Sequence, residues 1–111
     1  MAIVSNLTVD QGATFTAQID VDDDSGNSQN LTGYTVAGQI RKTYDSTTYT
    51  AFTASVSNAT GGTIAISLTS TQTNALKAGR YVYDVEITSS GGVVTRVLEG
   101  QVEVTPGVTR A

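Results

Sequence analysis

The chain has 111 residues, a net charge of −4, and neither cysteine nor histidine. That length supports one hydrophobic core rather than two, and the missing residue types exclude disulfides, thiolate zinc sites and the usual general base. Six basic residues stand against ten acidic ones, with no basic cluster larger than Arg41–Lys42, so nucleic acid is not an expected partner.

The opening "MAIVSNLTVDQG" has neither the charged start nor the apolar run of a signal peptide, and nowhere do about 18 apolar residues follow one another. A soluble, single-domain protein without an export signal or membrane partner is therefore expected. Thr, Val, Ile and Tyr are abundant and proline occurs once, at Pro106. This composition suits pleated, half-buried surface.

In "TFTAQIDV", Phe15, Ala17, Ile19 and Val21 fall on one face, with Thr14, Thr16, Gln18 and Asp20 on the other. The acidic stretch that follows invites comparison with a calcium loop. Asp20, Asp22 and Asp24 alternate as an EF-hand requires, but Ser25 stands where glycine should be, and the twelfth position from Asp20 is Leu31. Half a motif in a segment rich in Gly and Asn reads as a solvated turn. Asp22 and Asp24 are its only candidates for a weak calcium site, and no cofactor is expected.

"YTVAGQI" alternates Tyr34, Val36, Gly38 and Ile40; "FTASV" alternates Phe52, Ala54 and Val56; "TIAISL" alternates Ile64, Ile66 and Leu68. Tyr44 and Tyr49 flank the turn at Asp45-Ser46-Thr47, where exposed tyrosines would serve an interface. In "LTSTQTNALKAG", Thr69 followed by Gln72 matches a capping box, and Gly79 offers a stop, so one short helix is expected near residues 70–77, with Ala75 and Leu76 facing the core. Tyr81, Tyr83, Val85 and Ile87 form the next stripe. The final one is Val94, Leu98, Val102 and Val104, in which Arg96 falls among the apolar positions. That awkward phase predicts a bulge or change of sheet between Arg96 and Gly100.

Short stripes divided by turn residues make an all-β, antiparallel sandwich of about seven strands, a single domain over 1–111 with a short C-terminal extension at 106–111. Asp84 and Glu86, two apart on a polar face, are explained by solvation; without histidine no activated nucleophile can be assembled, so no enzyme activity and no catalytic residue are expected.

The run from Leu76 through Gly79, Tyr81 and Tyr83 looks like the tyrosine corner of immunoglobulin-like sandwiches, with Tyr83 where antibody domains place a cysteine. The ordered series "NLTVDQGATF", "LTGYTVAGQIRK", "TIAISLTSTQTNALKAGRYVYDVEIT" and "RVLEGQVEVTPGVTR" resembles a family of small tailed-phage virion structural proteins. That family includes the N-terminal domain of siphophage baseplate upper proteins. The resemblance implies an immunoglobulin-like fold and a non-enzymatic assembly or adaptor role in the tail baseplate or fibre attachment. Capsid decoration and a lectin-like carbohydrate-binding role are the alternatives. It implies other virion proteins as partners, a homo-oligomer within the particle, and location in the virion after synthesis in the host cytoplasm. Baseplate upper proteins continue into a coiled or receptor-facing part whereas this sequence ends at Ala111, so docking through sheet edges and chain ends is expected, with Tyr44, Tyr49, Val108, Thr109 and Arg110, and the N-terminal Ala2 to Ser5, as the contact residues.

Overall fold

Most apolar stripes become the inward faces of strands in the computed structural model, which describes residues 3–22 and 26–108. In chain order these are β1 (Ile3–Val4), β2 (Leu7–Asp10), β3 (Phe15–Asp20), β4 (Thr35–Arg41), β5 (Thr50–Ala51), β6 (Thr53–Asn58), β7 (Thr63–Leu68), the helix α1 (Ser70–Ala75), β8 (Gly79–Thr88) and β9 (Val94–Thr105). One sheet runs β1-β9-β8-β4-β5 with β2 also on β9; the other runs β3-β7-β6. The two inner faces enclose Ile40, Tyr83, Val85, Ile87, Val102 and Val104 from the first sheet, against Ile64, Ile66 and Leu68 from the second.

Among the described residues, nine strands replace the expected seven or so for two local reasons. β1 and β2 share one lane, both parallel to β9, with Ile3 opposite Leu98 and Leu7 opposite Val102. They part at Ser5–Asn6, where the Ser5 carbonyl accepts the Tyr83 hydroxyl at 2.6 Å and the Asn6 Oδ1 accepts the Gln101 N–H at 3.1 Å. β5 and β6 are likewise one run of chain that changes sheets at Phe52, whose N–H still bonds to the Gly38 carbonyl at 3.0 Å. The Phe52 ring closes the gap between layers, 6.2 Å from the Phe15 ring and edge-on to Tyr83 at 6.1 Å.

The expected irregularity in the last strand is present. Val85 pairs with Leu98 but Glu86 pairs with Arg96, which leaves Val97 as the extra residue of a bulge. Val97 and Leu98 therefore both turn inward, and the strand before them is out of phase with the strand after. This corrects the reading of Val94, which lies outside beside Arg96 rather than in the core.

α1 has the capping box: the Gln72 N–H donates to the Thr69 Oγ1 at 3.2 Å, and the Thr69 N–H donates to the Gln72 Oε1 at 2.9 Å. It ends earlier than expected, at Ala75. Leu76 turns extended and buries itself, so the stop is hydrophobic rather than glycine-driven, and Gly79 opens β8 instead. The helix presents Thr73, not Ala75, to the interior. The Thr73 hydroxyl donates to the Ala13 carbonyl at 2.9 Å and accepts the Gly12 N–H at 3.1 Å, clamping the β2–β3 turn to the helix. Beyond the helix, the Tyr81 hydroxyl donates to the Lys77 carbonyl at 2.8 Å, the corner bond suggested by the sequence. Among the described residues no helix is long and apolar enough to cross a membrane.

Candidate functional site

The polar half of each stripe faces outward, and on β4, β8 and β9 the register arranges those residues in rows. Ala37, Glu86 and Arg96 make one row; Gln39, Asp84 and Glu99 make the next; Arg41, Val82 and Gln101 follow. The bulge at Val97 is what brings Arg96 to this face. From there its guanidinium reaches diagonally to Asp84 at 3.3 Å and Glu99 at 3.5 Å. Arg96 is 52% exposed, so these pairs orient the side chains more than they stabilise the fold.

A shallow groove of about 380 Å³ runs along this face, bounded by Gln39, Arg41, Tyr44, Asp84, Glu86 and Arg96. Two carboxylates and two guanidiniums line it, so its charges balance. Arg41 fixes one end: it donates to the Gln39 Oε1 at 2.9 Å and the Ser46 carbonyl at 2.5 Å, and its guanidinium lies 4.8 Å from the centre of the Tyr49 ring. Tyr44, 82% exposed, stands on the rim. Such a surface can offer hydrogen bonds and an aromatic face to a polar partner. Arg41, which sequence reasoning passed over as a contact residue, thus stacks on Tyr49 and lines the groove together with Tyr44. The signal for Arg41 was its place on the polar phase of β4, between Gln39 and the tyrosine-flanked turn.

The other expected contact residues lie apart. Val108 is 97% exposed past the end of β9 and does not line the groove; Thr109, Arg110 and Ala2 fall outside the described residues. Val4 is exposed on the edge strand β1, while Ser5 is tied inward by Tyr83. Asp22 forms an isolated antiparallel bridge with Ser28, and Asp24 is outside the described residues. Among the described residues no three His, Cys, Asp or Glu side chains gather as a metal site would require. Asp84 and Glu86 both face solvent in the groove. In the interior, burial raises the Tyr83 hydroxyl above its usual 10.0, partly offset by the Ser5 side chain.

A family model described as LtfC-like, beta-sandwich domain matches residues 2–105. No curated protein matches the sequence. Among solved structures, the chain is similar to an internalin-like protein of Listeria monocytogenes, with 15% identity and a TM-score of 0.46 over 96% of this chain and 28% of that one. It is also similar to a chain from work on multimeric cell-adhesive interactions of VGSC beta subunits, with 12% identity and a TM-score of 0.44 over 92% of each. A third likeness is to a family 123 glycoside hydrolase from Clostridium perfringens, with 11% identity and a TM-score of 0.44 over 96% of this chain and 24% of that one. The chain therefore spans under a third of the first and third of these structures.

Proposed function

The chain belongs to the LtfC-like beta-sandwich domain family, a phage-related family, and from that premise we propose that it is a non-enzymatic structural protein of the virion, an adaptor of the tail baseplate or fibre attachment that binds other virion proteins. The match over residues 2–105 carries the reading, LtfC itself being a phage tail fibre-like protein. The architecture supports an immunoglobulin-like module: β3-β7-β6 faces β9-β8-β4, and the Tyr81 bond to Lys77 closes the corner. Such a sandwich recognises partners through faces and open strand edges rather than through an enclosed cavity.

The test is to locate the protein on intact particles by electron cryomicroscopy. Density at the tail tip or fibre base is the expected result. A lattice of copies on the head would reassign it as capsid decoration, and its absence from purified particles would overturn the virion role altogether.

The groove favours a second reading, a carbohydrate-binding module. Its neutral charge balance, paired amide, carboxylate and guanidinium groups, and exposed Tyr44 suit an uncharged polyhydroxylated ligand, and about 380 Å³ falls within the range of ligand sites. Glycan-array binding that disappears in Tyr44→Ala would support it; an array without signal would discard it.

A further inference from the structure

The sheet β3-β7-β6 ends at β3, and the hydrogen-bond phase shows which of its backbone groups are left over. The Val21 N–H donates to the Gly62 carbonyl at 2.7 Å, which continues the register in which Ile19 faces Ile64 and Ala17 faces Ile66. Bonded and non-bonded pairs alternate along an antiparallel ladder. Phe15, Ala17 and Ile19 therefore direct their N–H and C=O groups to β7, while Thr16, Gln18 and Asp20 direct theirs away from the sheet. Among the described residues no strand lies on that side.

The same flank is open in its packing. Ile64, Ile66 and Leu68 of β7 are at most 1% exposed, whereas Phe15, Ala17 and Ile19, on the same inner face one strand over, are only half-buried. The remaining edges are handicapped. β6 carries an irregularity between Val56 and Asn58, β5 is two residues long, and the β1/β2 lane is broken at Ser5–Asn6. β3 has six residues in unbroken register with β7, and contains no lysine or proline to discourage pairing.

We propose that β3 is a strand-addition edge whose occupant is β3 of a second copy of this chain, joined antiparallel about a twofold axis that passes between the two Ala17 residues. The proposal rests on the reading of the protein as an assembly module and names the edge and partner that reading leaves open. A pairing that keeps inner faces together must set residues of like phase opposite one another. With Ala17 opposite Ala17, Phe15 meets Ile19 of the second copy, completing the half-buried flank of both. Thr16 meets Gln18 on the outer face, and Asp20 meets Thr14, which holds the two Asp20 carboxylates at opposite ends of the seam. The interface is isologous, so the sheets merge as β6-β7-β3-β3-β7-β6 and the contact closes at two copies.

A single strand seam buries less than the roughly 1,200 Å² of a standard interface, so the association is weak in dilute solution and is strengthened where copies are held close together. The purified chain should be followed by sedimentation velocity from about 10 μM to about 1 mM, the range suited to such an interface, with amide exchange read residue by residue. Expected are a monomer–dimer shift and at least tenfold slower exchange of the Thr16 and Gln18 amides at the high end, while Ala17 and Ile19 stay protected throughout. Thr16→Lys with Gln18→Lys sets lysines opposite lysines through side chains that face solvent, and should abolish the dimer with the melting temperature of the monomer kept. Thr16→Glu with Gln18→Lys should tighten it several-fold. A monomer at all concentrations with the Thr16 and Gln18 amides unprotected overturns the proposal, as does a dimer indifferent to both pairs of substitutions; weakening by the Glu/Lys pair overturns the register. A negative result here leaves localisation on the particle untouched, so failure of the edge and failure of the virion role are separable.

Discussion

Replacing Tyr83 by Phe removes one oxygen from the interior and leaves the ring in its edge-on contact with Phe52. That oxygen donates at 2.6 Å to the Ser5 carbonyl, 78 positions away in sequence, and Tyr83 is 4% exposed. Loss of a buried hydrogen bond that strands its acceptor costs about 1–2 kcal/mol. For 111 residues, an unfolding entropy of about 2.1 cal/mol/K per residue converts this into a fall in Tm of about 4–9 °C. Urea denaturation should show a lower midpoint at an unchanged slope, because the surface exposed on unfolding is the same. The amides of β1 should lose protection first, since Ser5 links β1 to β2. The hydroxyl also predicts a pH effect. Burial raises its proton affinity in the folded state above the 10.0 of the open chain, so above that pH the unfolded chain releases a proton that the native state still holds. The stability contributed by Tyr83 is fully present below pH 10 and is lost as pH climbs through the folded value. Tyr83→Phe should flatten that alkaline decline. A variant with unchanged Tm and the same alkaline slope as the parent would refute both the bond and its burial.

Thr73→Val keeps the shape of a fully buried side chain but leaves the Ala13 carbonyl and the Gly12 N–H without their partner; it should destabilise by about 2–3 kcal/mol in chemical denaturation, with Thr73→Ser costing less. Gly100→Ala would place a Cβ on the Ser5 carbonyl; the edge lane must shift, and a loss of about 2 kcal/mol or more with faster exchange at Val4 and Ser5 is expected. Arg96→Ala breaks two exposed ion pairs, and thermal melting at moderate salt should move by less than about 1 kcal/mol equivalent.

Much of the fold was legible because pleat parity is written directly in residue type. Phe15, Ala17, Ile19 and Val21 kept their face, as did Ile64, Ile66 and Leu68, since a one-residue slip would have carried each set into water. The bulge was visible as a phase conflict at Arg96, because a guanidinium cannot occupy an apolar position without a partner. Val94 went astray for the same reason: the conflict showed that the phase must change without showing on which side. The division of the outer lanes into β1/β2 and β5/β6 was not legible, because it depends on which distant strand each short segment meets. The helix stop failed on a local rule. Leu76 gained more by burial than the chain gained by continuing to Gly79, and composition does not rank those two terms.

The outer face shows why partner-binding residues were harder to read than core residues. A core position is constrained by one requirement, removal from water, which residue type reports almost directly. A contact residue is defined by its neighbours across strands: Tyr49 is set in place by Arg41 over its ring, and Arg41 is held there by Gln39 and the Ser46 carbonyl. Edge strands are less legible still, since the outward-directed groups of Thr16, Gln18 and Asp20 are backbone and every residue has them. What distinguishes β3 from β6 is the absence of a bulge and the half-buried state of its apolar flank, both consequences of long-range register. An assembly surface of the proposed kind, built mainly from main chain, would leave little trace in residue identity, and the feature that would most constrain its partner is therefore the alternation of hydrogen bonds along one edge strand.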